Sequence, residues 1–219
     1  MKYALAISAL TEQFTASYVS IYSFRKYHPD ASVLFFGDKP DTILSNLDVY
    51  PVSIELKNLP IKVDEENKLY TNNLAISLND KFDAFVVADY DILFNKSLKD
   101  LVLYAIQTKH VIGSTDIVNN KLAMNKSLYI VPSNAVNSKI KGTVFQGIAR
   151  DNAGATLIDA YCPILIDALE KETLTVVPGV SVDSTDKRVV HYSEGAWRNT
   201  PKNDLWTKMG EELIDTLGT

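Results

Sequence analysis

At 219 residues, 46% of them hydrophobic and 22% charged, the chain has the size and make-up of one globular domain. A net charge of −5 argues against a large nucleic-acid footprint, and no apolar run is long enough to span a bilayer. The single cysteine, Cys162, excludes an internal disulfide; in the apolar stretch AYCPIL it reads as a small buried hydrophobe, and the composition fits a reducing, cytoplasmic compartment.

The opening MKYALAISAL has one lysine and a short apolar run. It reads as a first strand, Tyr3 to Ile7, rather than a signal peptide, because a helical pattern follows without a processing site. From Glu12 to Lys26 apolar residues recur near helical spacing, and His28-Pro29-Asp30 ends the segment, with His28 a surface helix-end residue. Ser32 to Phe36 is the second strand and Gly37-Asp38 its turn. A βαβ opening results, and its strand ends place Ser8, Ala9 and Leu10 beside Asp38, where they can line a nucleotide base and ribose. Asp38 equally fits a plain turn residue.

Asp41 to Leu47 predicts a short helix. Val49 to Leu56 predicts an edge strand, because Pro51 cannot donate to a ladder. Glu65 to Leu78 reads as a helix carrying Lys68, a candidate phosphate contact, although most helix lysines are simply solvated. Further on, the pattern predicts a helix over Asn95 to Thr108, a short strand over Val111 to Gly113 and a strand over Leu122 to Val131. A long helix follows from Asp151 to Lys171 that Pro163 kinks or splits. The remainder reads as strands at Thr173 to Pro178 and Arg188 to Tyr192, a glycine-containing loop at Ser193 to Trp197, and a closing amphipathic helix at Asn203 to Leu217.

The chain is organised around Phe82 to Phe94, FDAFVVADYDILF. The apolar run Ala84 to Ala88 predicts a buried strand at the centre of a parallel sheet. Asp89 and Asp91 follow at its carboxyl end, where ligands bind in open α/β sheets. Two carboxylates there repel unless a cation sits with them, and a hard divalent ion, Mn²⁺ or Mg²⁺, takes oxygen ligands and bridges a diphosphate. A D-x-D is also common by chance, and an aspartate-rich turn after a strand is the bland alternative.

FVVADYDILF, a preceding helix with NKLY, and a late VVHYSEGAW together resemble the GT-A nucleotide-sugar glycosyltransferases, most closely glycosyltransferase family 8, the glycogenin and bacterial galactosyltransferase group. The resemblance covers most of the chain. It implies an α/β, Rossmann-like GT-A fold with a mixed, mainly parallel sheet flanked by helices. This would be a single domain, with residues 1–95 as its nucleotide-binding half and 96–219 as its donor-sugar and acceptor half. It implies Asp89, Asp91 and His191 as metal ligands, and Lys68 as a nucleotide contact, with Tyr90 and Gly195 also on the nucleotide side. Asn125 falls where the family's Asn-Ser-Gly would touch the donor sugar, and Asp151-Asn152 where its Asp-Gln pair would act near the anomeric carbon. Asn152-Ala153-Gly154 is an alternative match to the Asn-small-Gly motif. The chain departs from the late H-x-x-G-x-x-K-P-W: Gly195 lies four residues after His191, and the Lys-Pro is absent. Arg198 follows Trp197 and would replace the diphosphate-binding lysine with a different geometry.

The resemblance implies metal-dependent transfer of a sugar from a nucleoside diphosphate donor, UDP-linked, to an acceptor, with retention of configuration. A nucleotidyltransferase on the same fold is one alternative, although SALTEQ after the first strand is no glycine-rich loop. A binding module that keeps the fold without turnover is the other.

Overall fold

The structure, a computed structural model, describes residues 1–9, 11–36, 43, 46–48, 50–51, 81–118, 121–133, 164–165 and 167–218. Their elements in chain order are β1 (Tyr3–Ser8), α1 (Phe14–Tyr27), β2 (Ser32–Phe36), β3 (Tyr50–Pro51), β4 (Ala84–Ala88), β5 (Ile92–Phe94), α2 (Lys99–Thr108), β6 (Val111–Val118), β7 (Lys121–Pro132), β8 (Ile164–Leu165), α3 (Asp167–Glu170), β9 (Thr173–Val176), β10 (Val189–Tyr192) and α4 (Leu205–Leu217). Among the described residues no helix is long and apolar enough to cross a membrane.

One sheet runs β3-β2-β1-β4-β7-β6-β8 and a smaller one β5-β10-β9. The first four strands of the larger sheet are parallel, β7 is antiparallel to both β4 and β6, and β8 is parallel to β6. The expected mixed, mainly parallel sheet is therefore present, with β4 where the parallel half meets the antiparallel pair. All five residues of β4 are buried. That is why the strand reads as an unbroken apolar run instead of an alternation. Pro51 lies in the outermost strand on the β3 side, as its missing N–H requires.

Helix α1 packs between the two sheets and against α4. Phe14 meets Phe35 edge-on at 5.5 Å, and Phe24 meets Phe94 at 5.0 Å. Two of its buried serines bond back to the helix: Ser17 Oγ donates to the Phe14 carbonyl, and Ser23 Oγ donates to the Ser20 carbonyl and accepts the Phe94 N–H of β5 at 3.0 Å. A helix enclosed on most sides needs no strong apolar stripe, which explains its weak periodicity. Helix α4 is capped by Asp204 and reaches back to α1 through Lys26–Glu212 and Tyr22–Thr216.

Four expectations change. His28 does close α1, but it is 2% exposed rather than on the surface. Its Nε2 accepts the Leu98 N–H, so the proton resides on Nδ1, which donates to the Tyr3 hydroxyl at 2.8 Å. Burial, and then Lys99, lower its pKa to about 4. The helix expected over Asn95 to Thr108 starts only at Lys99, because Asn95 spends its side-chain amide on the carbonyls of Thr185 and Lys187. The long helix from Asp151 to Lys171 is not continuous. Ile164–Leu165 pairs with Val111–Ile112 as β8, directly after a proline that cannot supply a helical N–H, and only Asp167–Glu170 is helical among the described residues of that span. Strand β6 extends to Val118, five residues past the expected Gly113, because it pairs with β7 across a bulge.

Candidate metal centre

Strand β4 delivers Asp89 to the carboxyl end of the larger sheet. The Asp89 N–H donates to the Ser127 carbonyl of β7 at 2.8 Å, which extends the ladder one residue past the strand. The chain then crosses to the smaller sheet within two residues: Tyr90 and Asp91 form a turn, and Ile92 opens β5. Strand β10 pairs antiparallel with β5, with Ile92 opposite His191, and the Tyr192 N–H donates to the Asp91 carbonyl at 3.0 Å. Alternation along β10 turns His191 one way and sends Tyr192 into the core, where its hydroxyl donates to Asp204 Oδ1 at 2.7 Å. Burial and that carboxylate push the Tyr192 pKa far up, so the hydroxyl stays a donor.

Asp89, Asp91 and His191 converge so that one ligand atom from each lies within 4.8 Å of the others. Asp91 is 5% exposed, and its Oδ1 is 3.6 Å from His191 Nε2. At an effective dielectric of about 20, two carboxylate charges this close repel by on the order of 3 kcal/mol. Two carboxylate oxygens and an imidazole nitrogen are the donor set of a divalent cation, and a separation near 3.6 Å suits neighbouring ligands of one ion. The cluster therefore fits a divalent metal.

Ser8 ends β1, the strand beside β4, and Ala9, buried, follows it at the same end of the sheet. Tyr90 is half-buried between the two aspartates and packs against the core. The SEGAW segment is not plain loop: Ser193–Asn199 forms two short helical turns joined at Glu194 and Gly195, both left-handed (φ 54° and 75°). Arg198, exposed, folds back over this kink. Its guanidinium carbon is 5.3 Å from the centroid of the Trp197 ring, and a Cβ on Gly195 would stand 2.9 Å from its Nη1. Asn125 is in β7. Leu10, Asp38, Lys68, Asp151, Asn152 and Cys162 lie outside the described residues.

One residue with a part here was not singled out in the sequence. Asp204 accepts from Tyr192 and from the N–H of Trp206 and Val182, and fixes the strand that carries His191. Its signal was an aspartate directly before an apolar helical pattern.

No protein-family model matches the chain, and no curated protein matches it. Solved structures do match over nearly its whole length. They are glycosyltransferases, and the chain has their GT-A fold. The galactosyltransferase LgtC, solved with donor and acceptor sugar analogues, is 13% identical with a TM-score of 0.60, over 99% of this chain and 96% of LgtC. The bifunctional glycosyltransferase WbbM gives 0.64 at 13% identity, over 97% of this chain but only 49% of WbbM. Mouse xyloside xylosyltransferase 1 gives 0.55 at 9% identity, over 90% of this chain and 99% of that one.

Proposed function

We propose that the chain is a divalent-metal-dependent glycosyltransferase that moves a sugar from a UDP-sugar to an acceptor with retention of configuration. The observation that carries this reading is the convergence of Asp89, Asp91 and His191 at the carboxyl ends of the strands of a GT-A fold. LgtC, of the same fold, holds donor and acceptor sugar analogues.

Asp89, Asp91 and His191 hold Mn²⁺ or Mg²⁺, which when bound supplies Lewis-acid stabilisation of the departing diphosphate. Ser8, Ala9, Leu10 and Asp38 line the base and ribose, with Tyr90 beside them. Lys68 and Arg198 add positive charge on the diphosphate side, where charge develops as the sugar leaves. Gly195 gives Arg198 room to fold back over the kink. Asn125 and Asn152 orient the sugar, and Asp151 acts near the anomeric carbon.

Calorimetric titration of UDP tests this. Binding is expected with Mn²⁺, and is expected to vanish with EDTA and in Asp91→Ala. No UDP binding in the presence of Mn²⁺ would overturn the UDP form of the reading. With a UDP-sugar, release of UDP marks sugar transfer, whereas release of pyrophosphate would mark nucleotidyl transfer.

A further inference from the structure

The chain has two tryptophans, and the fold brings them together: the rings of Trp197 and Trp206 lie 6.2 Å apart, tilted by 32°. Trp206 is buried and fixed. Its ring meets Tyr192 of β10 edge-on at 5.0 Å, and its backbone N–H donates to Asp204. Trp197 is half-buried against the same core. Its indole N–H is enclosed and meets no acceptor among the described residues. A buried tryptophan ordinarily finds a partner for that group. Here the ring is placed for its packing and its face, and not for its polar handle.

The face is used by Arg198. The guanidinium carbon stands 5.3 Å from the centroid of the Trp197 ring, within the range of a cation–π contact. Gly195 leaves room for it, since a Cβ there would stand 2.9 Å from Nη1. Arg198 is exposed and forms no ion pair among the described residues. A long exposed side chain gives up much rotamer freedom when it is held in one place. The contact that holds this one is with an aromatic face, so it is ordered without being neutralised. Gly195 follows His191 by four residues, a span of at most about 14 Å. The charge is therefore kept near the end of β10 that carries His191 into the cluster.

We propose that Trp197 is a positioning residue for Arg198: its ring holds the guanidinium ready for the diphosphate of the donor. The assignment rests on the reading of Arg198 as a diphosphate contact. A guanidinium resting over a ring keeps N–H groups at its edge for phosphate oxygens. Ordering it in advance removes part of the entropy cost that a freely rotating arginine would add to binding. In a chain that lacks the Lys-Pro, the tryptophan then does more than pack: it aims the cation that stands in for the lysine.

The test is calorimetric titration of UDP in the presence of Mn²⁺ on wild type, Arg198→Ala, Trp197→Leu, Trp197→Phe and the double variant of Trp197→Leu with Arg198→Ala. Arg198→Ala is expected to lower UDP affinity about 10-fold or more, and Trp197→Leu about 2- to 10-fold. Trp197→Phe, which restores an aromatic face, is expected to recover most of the Trp197→Leu loss. In the Arg198→Ala background, Trp197→Leu is expected to change nothing further, because the ring acts through the arginine. Should Trp197→Leu fail to fold, Trp197→Met, which fills space without an aromatic face, takes its place under the same criteria. Wild-type affinity in Trp197→Leu with Arg198→Ala impaired would overturn the role of Trp197. So would an undiminished loss in the Arg198→Ala background, or a Trp197→Phe no better than Trp197→Leu, since the effect would then be one of general packing. Wild-type affinity in Arg198→Ala would remove Arg198 from the diphosphate and this inference with it, and leave UDP binding at the metal standing. No UDP binding by wild type would overturn the underlying reading and this one together.

Discussion

Asp204 and Asp91 are both almost completely buried, and their surroundings could hardly differ more. Four protein donors surround Asp204. Oδ1 accepts from the Trp206 N–H at 2.8 Å and the Tyr192 hydroxyl at 2.7 Å, and Oδ2 accepts from the Val182 N–H at 2.7 Å and the Ser181 hydroxyl at 3.1 Å. Its charge is neutralised from within, and the result is structural: a capped α4, a fixed β10 and a fixed loop before it. Asp91 instead shares its space with a second carboxylate and an imidazole. Burial alone does not mark a functional acid. The mark here is a buried acid gathered with a second carboxylate and an imidazole, a donor set that suits a divalent cation.

Asp91→Asn should have the largest effect and should separate the two roles most clearly. Metal-dependent UDP binding should fall at least about 100-fold, which corresponds to roughly 3 kcal/mol. The melting temperature of the metal-free protein should stay level or rise, because a like-charge repulsion has been relieved. A lower metal-free melting temperature would make Asp91 a structural acid like Asp204 and erase the distinction.

Asp204→Ala should do the reverse. A lost helix cap costs about 1 kcal/mol, and the buried Val182 N–H and Tyr192 hydroxyl left without their acceptor bring the total to about 3–4 kcal/mol. Urea denaturation reads this directly; a loss below about 1 kcal/mol would mean that the four bonds do not act as one structural unit.

His28 offers a third kind of buried ionisable group, kept neutral by the fold. Its pKa falls from 6.5 to about 4 on folding. The unfolded chain therefore binds the extra proton first, and stability fully present above pH 6.5 is lost as the pH falls toward 4. The loss is about 3 kcal/mol. Urea denaturation at pH 7 and pH 4.5 should show it in wild type, and His28→Gln should be weaker at pH 7 but should lose less between the two. An identical pH dependence in both proteins would remove His28 as its source.

The smallest effect is expected at Gly195. A side chain at φ +75° is strained, and its Cβ would meet the Arg198 guanidinium, which can swing away. Gly195→Ala should cost about 1 kcal/mol and, by displacing Arg198, weaken UDP binding severalfold. Wild-type UDP affinity in this variant would separate Arg198 from the nucleotide side of the site.

The sequence shows most clearly what depends on local pattern. Five consecutive apolar residues ending in Asp89 read as a central strand because both faces of β4 are covered, and Pro51 reads as an edge because it lacks a donor. Asp89 and Asp91 stood out by their place after the apolar run and His191 through the family resemblance, and the fold brings them together. What stayed hidden depends on partners distant in sequence. Nothing in the residues around His28 reveals that Phe94 and Leu98, far along the chain, close over it. Helical spacing after Asp151 does not reveal that Val111 and Ile112 recruit Ile164 and Leu165 into a sheet. Ile92 to Phe94 looks like a continuation of β4, and only β10 shows that it belongs to a second sheet.

The crossing from β4 to β5 has a consequence for the order in which the protein is made. His191 lies 100 residues after Asp91. At a synthesis rate of roughly 5–20 residues per second, the second aspartate waits on the order of 5–20 s before its imidazole neighbour exists. Through that interval an incoming cation meets an incomplete set of ligands, so the larger sheet must take shape on its hydrophobic core alone. The cluster is then a late closure, one that reports that the chain has been translated and folded through β10.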